Sequence, residues 1–220
     1  MCDIKLFCKV LKEIDLNLKH ESSTVNSYEI GEFQQNEIVS KLSKNKTFVT
    51  YFNIFSIEQY LCINGKIWEP YLDSIYGDLV ITDKQFKPLF YIDLKVAMKE
   101  KYYGSITILS LFNFGDVNND GNNMDNHYYL TLNSNGDARL INRNEMFNTF
   151  RNDLVEAKQN NNIITNFICA SLNRKNKFRN YKCKDLGIKI MFDNTGYLYE
   201  KDFITDTFFI KHPELNILNK

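Results

Sequence analysis

The chain has 220 residues, a formal net charge of zero at pH 7, 44% hydrophobic and 25% charged residues. That length supports one α/β domain with a sizeable core. The composition excludes an extensively disordered chain, and the charge balance excludes a generally basic nucleic-acid coat. No apolar run approaches the roughly 18 residues that a membrane span needs, and Met1–Leu6 carries no long apolar leader, so the expectation is a soluble cytoplasmic protein. The five cysteines, Cys2, Cys8, Cys62, Cys169 and Cys183, are odd in number and show no CxxC spacing. They read as reduced thiols, not as a disulfide framework or a zinc site.

Taken in chain order, residues 1–20 fit a strand or a helix equally. Ser27 to Lys44 reads as a helix, with Ser27 as cap, Glu29 in the first turn and apolar Ile30, Phe33, Ile38, Val39 and Leu42. Thr47 to Phe52 reads as a short extended run. Ser56 to Leu61 reads as a helix capped by Ser56 and ended by Asn64-Gly65. Gly77 to Thr82 and Leu89 to Ala97 are apolar strand candidates joined by the polar Asp83 to Pro88, an antiparallel hairpin. Ser105 to Phe114 is a third strand candidate. After an Asn/Asp/Gly-rich loop, Gly115 to Asn126, come His127 to Asn133 and Ala138 to Asn142 around Ser134-Asn135-Gly136-Asp137, a hairpin signal. Glu145 to Lys158 reads as a helix, and Ile163 to Ala170 as a strand. Lys189 to Phe192 and Tyr197 to Phe203 are expected to pair. The order implies an α/β domain with a mixed central sheet flanked by helices, one unit over 1–220.

The hairpin carries the chemistry. If Thr82 pairs with Leu89, Asp78 faces Asp93, and directly opposite residues hold their Cβ atoms about 5 Å apart on one face. The two-residue period of a strand adds Lys95 to that face and turns Ile92, Leu94 and Val96 to the other. Two carboxylates so close repel unless something compensates, and a hard divalent cation such as Mg²⁺ would do so. Such an ion polarises a phosphoryl oxygen and acidifies a bound water, and a lysine beside it can stabilise developing negative charge.

Asp78, then fourteen residues, then Asp93-Leu94-Lys95 resembles the PD-(D/E)XK nuclease superfamily, which includes many type II restriction endonucleases. In that pattern an acid opens one strand and D/E-x-K lies on the next. Gly77 stands where the family usually has proline. The resemblance covers about residues 28–112 and implies a restriction-endonuclease-like fold. It implies Asp78 and Asp93 as metal ligands, Lys95 assisting the water, and a glutamate on a preceding helix. Glu37 fits that last role, with Glu58 as the alternative. It further implies Mg²⁺-dependent hydrolysis of double-stranded DNA by a sequence-specific homodimer, since two-fold protein symmetry matches a palindromic site.

Outside the hairpin, Asn173 to Lys184 holds six cations, Arg174, Lys175, Lys177, Arg179, Lys182 and Lys184, with Phe178 and Tyr181 interleaved. It is a candidate DNA-contacting segment, or a solvated basic loop. Asp116 to Asn122 resembles the start of a calcium loop, but position twelve is His127 where a glutamate belongs, so a surface loop is the expectation. His20, His127 and His212 lack metal-ligand spacing. Three other readings remain beside the restriction enzyme: a catalytically silent DNA-binding or assembly protein of the same fold, a structure-selective repair nuclease, and an interaction protein with no nucleic-acid role.

Overall fold

The computed structural model describes residues 2–18, 27–69, 71–96, 102–107, 111, 114–115, 125–149, 189–193, 196–200, 208–210 and 213–220. Helix α1 spans Cys2–Glu13, with Asp3 in its first turn and Lys12 in its last. The open choice between strand and helix at the N-terminus resolves through Phe7, Val10 and Leu11. Their three- and four-residue spacing puts all three on one buried face. Helix α2 spans Ser27–Lys44, as expected, and buries Gln34, Ile38 and Leu42 at successive four-residue steps.

The expected extended run at Thr47 to Phe52 is instead helix α3, Lys46–Tyr51. Asn45 caps it by accepting a hydrogen bond from the Phe48 amide at 2.9 Å. The β-branched Thr47, Val49 and Thr50 favour a strand locally. The helix prevails because it sets Phe48 and Phe52 against Phe7, with ring centroids 6.3 Å apart in both cases. Strand β1, Asn53–Ser56, follows directly and was not foreseen. Helix α4, Ile57–Ile63, starts on a capping box formed by Ser56 and Gln59 and ends at Asn64. Helix α5 is Tyr71–Tyr76.

Strands β2 (Leu79–Thr82), β3 (Pro88–Val96), β5 (His127–Leu132) and β6 (Ala138–Asn142) complete a five-stranded sheet in the order β1-β2-β3-β5-β6. Its β3–β5 pair is parallel and the others are antiparallel. The chain is therefore mixed α/β, with helices flanking a mixed sheet. A second, four-stranded sheet runs β4-β7-β8-β9, where β4 is Tyr102–Thr107, β7 Lys189–Asp193, β8 Gly196–Glu200 and β9 Phe208–Ile210. The expected strand Ser105 to Phe114 is thus displaced. Among the described residues it pairs with β7 over Ser105–Thr107, and Leu111 has helical backbone. The expected β7–β8 hairpin forms. Of the expected helix from Glu145, residues 145–149 are helical and the remainder lies outside the described residues, as does Ile163 to Ala170.

Alternation gives the first sheet two faces. Leu79, Ile81, Phe90, Ile92, Leu130 and Leu132 join the buried residues of α1, α2 and α3 in one apolar core. Burial of this kind contributes about 25 cal/mol per Å² of apolar surface. The C-terminal turn closes its end: Asn216 Oδ1 accepts from the Leu140 and Leu218 amides, and Leu218 enters the core. No helix among the described residues is long and apolar enough to cross a membrane.

Candidate active site

The opposite face of the sheet carries Asp78, Asp93 and Lys95. The expected register holds at their end of the hairpin: Leu79 pairs with Ile92, Val80 with Tyr91 and Ile81 with Phe90. It fails at the other end, where a bulge moves Thr82 from Leu89 to Pro88. The cause is local. Asp83 Oδ1 accepts hydrogen bonds from the Gln85 and Lys87 amides, both at 2.9 Å, and draws the connection into Asp83–Lys87.

Asp78 continues the register one residue beyond β2, with its amide donating to the Ile92 carbonyl at 2.9 Å. Its own carbonyl accepts from the Ile57 amide at 3.1 Å and from Gln35 Nε2 at 2.9 Å. Two helices therefore fix the Asp78 backbone, α4 through its first residue and α2 through a side chain. Gly77 makes the approach possible. Its φ of +79° and the 2.7 Å that would separate an added Cβ from the Ile92 carbonyl oxygen both demand glycine. The familiar proline cannot stand here. Its ring locks φ near −65°, and it would remove the Gly77 amide that donates to the Asp73 carbonyl at 2.8 Å.

The side chains converge. Asp78 Oδ2 accepts from the Leu94 amide at 2.6 Å. Lys95 Nζ donates to Asp93 Oδ1 at 2.5 Å. Asp93 is only 8% exposed, and the Lys95 side chain retains 27% exposure toward solvent. Burial, reinforced by the Asp93 charge, pushes the Asp78 carboxyl up to about 7, against the smaller opposing pulls of Lys95 and the Leu94 amide. A hydrogen bond between the two carboxyl groups acts in the same direction. For Lys95, burial pulls the ammonium down, but the Asp93 and Asp78 charges outweigh it and hold it above its ordinary value. Two carboxyl groups and one ammonium thus share one partly buried cluster.

That donor set fits Mg²⁺. The ion takes oxygen ligands, commonly one or two carboxylates, and fills its remaining positions with water. Glu37 does not complete a third ligand. It pairs with Lys41 at 3.6 Å, and Lys41 Nζ also donates to the Asp15 and Asn17 carbonyls. Residues two apart on a helix point about 200° away from each other, so the face that brings Gln35 to Asp78 turns Glu37 aside. Glu58 lies exposed in the first turn of α4. Among the described residues no three of His, Cys, Asp and Glu group as a metal site.

The parallel strand β5 supplies neighbours that the sequence did not reveal. Tyr129 is in register with Asp93, and Thr131 with Lys95. Tyr129 is fully buried, and burial followed by the Asp93 charge raises its hydroxyl pKa. Thr131 Oγ1 is buried and has no hydrogen-bond partner among the described residues. His127, two residues before Tyr129, stacks on Tyr91 with centroids 4.8 Å apart. It is a buried residue of β5. The six cations of Asn173 to Lys184 and the calcium-like stretch Asp116 to Asn122 lie outside the described residues. No family model, no curated protein and no solved structure matches the chain.

Proposed function

We propose that this protein is a Mg²⁺-dependent endonuclease that hydrolyses DNA phosphodiester bonds. One observation carries the reading: Asp78, Asp93 and Lys95 meet on one sheet face, with the Leu94 amide fixing Asp78 and Lys95 held against Asp93. A protein selected only for stability has little reason to bury two carboxylates together, and such unfavourable pairs concentrate at functional sites.

In this proposal Asp78 and Asp93 hold the ion. When bound, it supplies polarisation of a phosphoryl oxygen and a more acidic water. Lys95, charged and partly exposed, donates to a non-bridging phosphate oxygen and orients the attacking water. Charge-assisted donation of this kind is stronger than a neutral hydrogen bond. Asp78 would release its proton to solvent if the ion bound, and the Leu94 amide would keep the resulting carboxylate in place. Glu37 acts at a distance, by keeping Lys41 on the α1–α2 connection.

The restriction-endonuclease-like form of the reading is a homodimer cutting double-stranded DNA at a palindrome, with Arg174, Lys175, Lys177, Arg179, Lys182 and Lys184 contacting phosphates. The mixed sheet and the docking of α2 on Asp78 are consistent with it. Incubating plasmid DNA with Mg²⁺ tests the reading. The expected result is cleavage by the wild type that falls at least roughly a hundredfold in both Asp93→Asn and Lys95→Ala, the scale of losing a preorganised charge contact. Discrete fragments support the restriction form, and nicking or smearing supports a structure-selective nuclease. Cleavage that persists in both variants, or is absent from the wild type with any divalent metal, overturns the reading.

A further inference from the structure

The site face continues across the hairpin to an aromatic pair, the half-buried Phe55 and the exposed Phe86. Val80 is in register with both Tyr91 and Phe55. Registered residues share a face, so Phe55 lies on the same face as Tyr91, Asp93 and Lys95. The ring of Phe86 rests on Phe55, with centroids 5.9 Å apart and planes 34° apart. Strand geometry puts Phe55 about 8 Å from Asp78, one strand across and two residues along. That is within reach of the nucleotides flanking a phosphate held at Asp78 and Asp93.

Two features of Phe86 point to a ligand. It is 51% exposed, so its ring is open to contact from solvent. It also has a φ of +64° and is the one described residue other than glycine with positive φ. Asparagine or glycine would occupy this position with less strain and no exposed ring. The strain is held in place by the rest of the loop. Asp83 accepts from the Gln85 and Lys87 amides, the Phe86 amide donates to the Asp83 carbonyl at 3.2 Å, and Lys84 Nζ donates to the Phe52 carbonyl and Asn53 Oδ1. Strain kept by its surroundings is characteristic of ligand clamps. Lys84 and the exposed Lys87 set cations on both sides of the ring along the chain.

We infer that the Phe86–Phe55 ledge stacks an unpaired nucleobase of the strand whose phosphodiester lies at Asp78 and Asp93. This rests on the nuclease reading for the position of the phosphate. Every base offers a π face, and aromatic stacking is tolerant of sequence. In an intact duplex those faces are covered by neighbouring bases, so a flat ring gains little there. The substrate class follows: DNA with an unstacked nucleotide beside the scissile bond, as in a single strand, a frayed end or a branch.

The test measures the anisotropy of a labelled single strand and of a blunt duplex of the same sequence, in EDTA, with wild type, Phe86→Asn and Phe86→Trp. Asparagine tolerates the left-handed backbone and removes the ring, so this variant should melt no lower than the wild type. Stacking of one base corresponds to roughly a tenfold change in affinity. The expected result is a loss of that size for the single strand in Phe86→Asn, wild-type affinity in Phe86→Trp, and little change for the blunt duplex. An unchanged single-strand affinity, an equal loss on both DNAs, or no single-strand binding by the wild type overturns the inference. Adding Mg²⁺ to the same proteins and to Lys95→Ala separates the two claims. Cleavage lost in Lys95→Ala with no Phe86 dependence leaves the nuclease and removes the ledge. Phe86-dependent binding with no cleavage leaves the ledge and removes the nuclease.

Discussion

Ile92 and Asp93 are neighbours in β3, and their side chains leave the strand on opposite faces. Ile92 meets Leu79, Phe90 and the rings of Phe7, Phe48 and Phe52 in a layer with no charge in it. Asp93 meets Asp78 and Lys95 and stands in register with the buried Tyr129. The first face is stabilised by volume and apolar area. The second holds the Asp78 carboxyl where burial and the neighbouring Asp93 charge oppose its ionisation. One strand thus serves both needs through its two-residue period. The polar face can be poorly stabilised because the apolar face is not.

The comparison is broken most forcefully from the apolar side. Ile92→Ala should cost about 2–5 kcal/mol, the range for truncating a buried aliphatic residue, measured by urea unfolding. The folded fraction should still cleave, since the Asp93 backbone stays paired in the sheet. A cost below about 1 kcal/mol, the level of an exposed substitution, would mean that the layer is not packed as described. The smallest effect is expected at Glu37. Its pair with Lys41 lies one turn along α2, an arrangement that contributes about 0.3–0.5 kcal/mol. Glu37→Gln should therefore change cleavage by less than roughly threefold. A loss as large as that of Asp93→Asn would put Glu37 back among the site residues.

What could be read from the sequence was local. Antiparallel pairing across a short connection is nearly fixed by the chain itself, so Asp78, Asp93 and Lys95 were placed on one face from residue numbers and a period of two. The bulge at Thr82 was not legible because it depends on Asp83 turning its carboxylate onto two amides. Helix α3 was not legible because its β-branched residues mask contacts with Phe7, about forty positions away. The parallel β3–β5 pair is the largest omission. Its register is set by no connecting turn, so Tyr129 and Thr131 could not be assigned to the site although both lie in a strand that was foreseen. On α2 the sequence offered several polar residues. Only the rotation of the helix decides that Gln35 reaches Asp78 while Glu37 pairs with Lys41.

In the proposed function, Asp78 and Asp93 form a cation-binding pair whose repulsion the protein tolerates. Asp78 ionises near its ordinary 3.8 when unfolded and near 7 when folded. Between those values the folded chain keeps a proton that the unfolded chain has released. Stability should therefore fall as pH rises, by at most about 1.4 kcal/mol per pH unit from this group. Lys95, held above its ordinary 10.5, titrates outside that window. Thermal unfolding of the wild type and Asp78→Asn from pH 5 to pH 8, with and without Mg²⁺, tests this directly. The metal-free wild type should lose stability toward pH 8 and regain it with Mg²⁺. Asp78→Asn, which keeps an oxygen for the Leu94 amide, should lose less with pH and gain little from the metal. Identical pH profiles for the two proteins, with equal response to Mg²⁺, would contradict this.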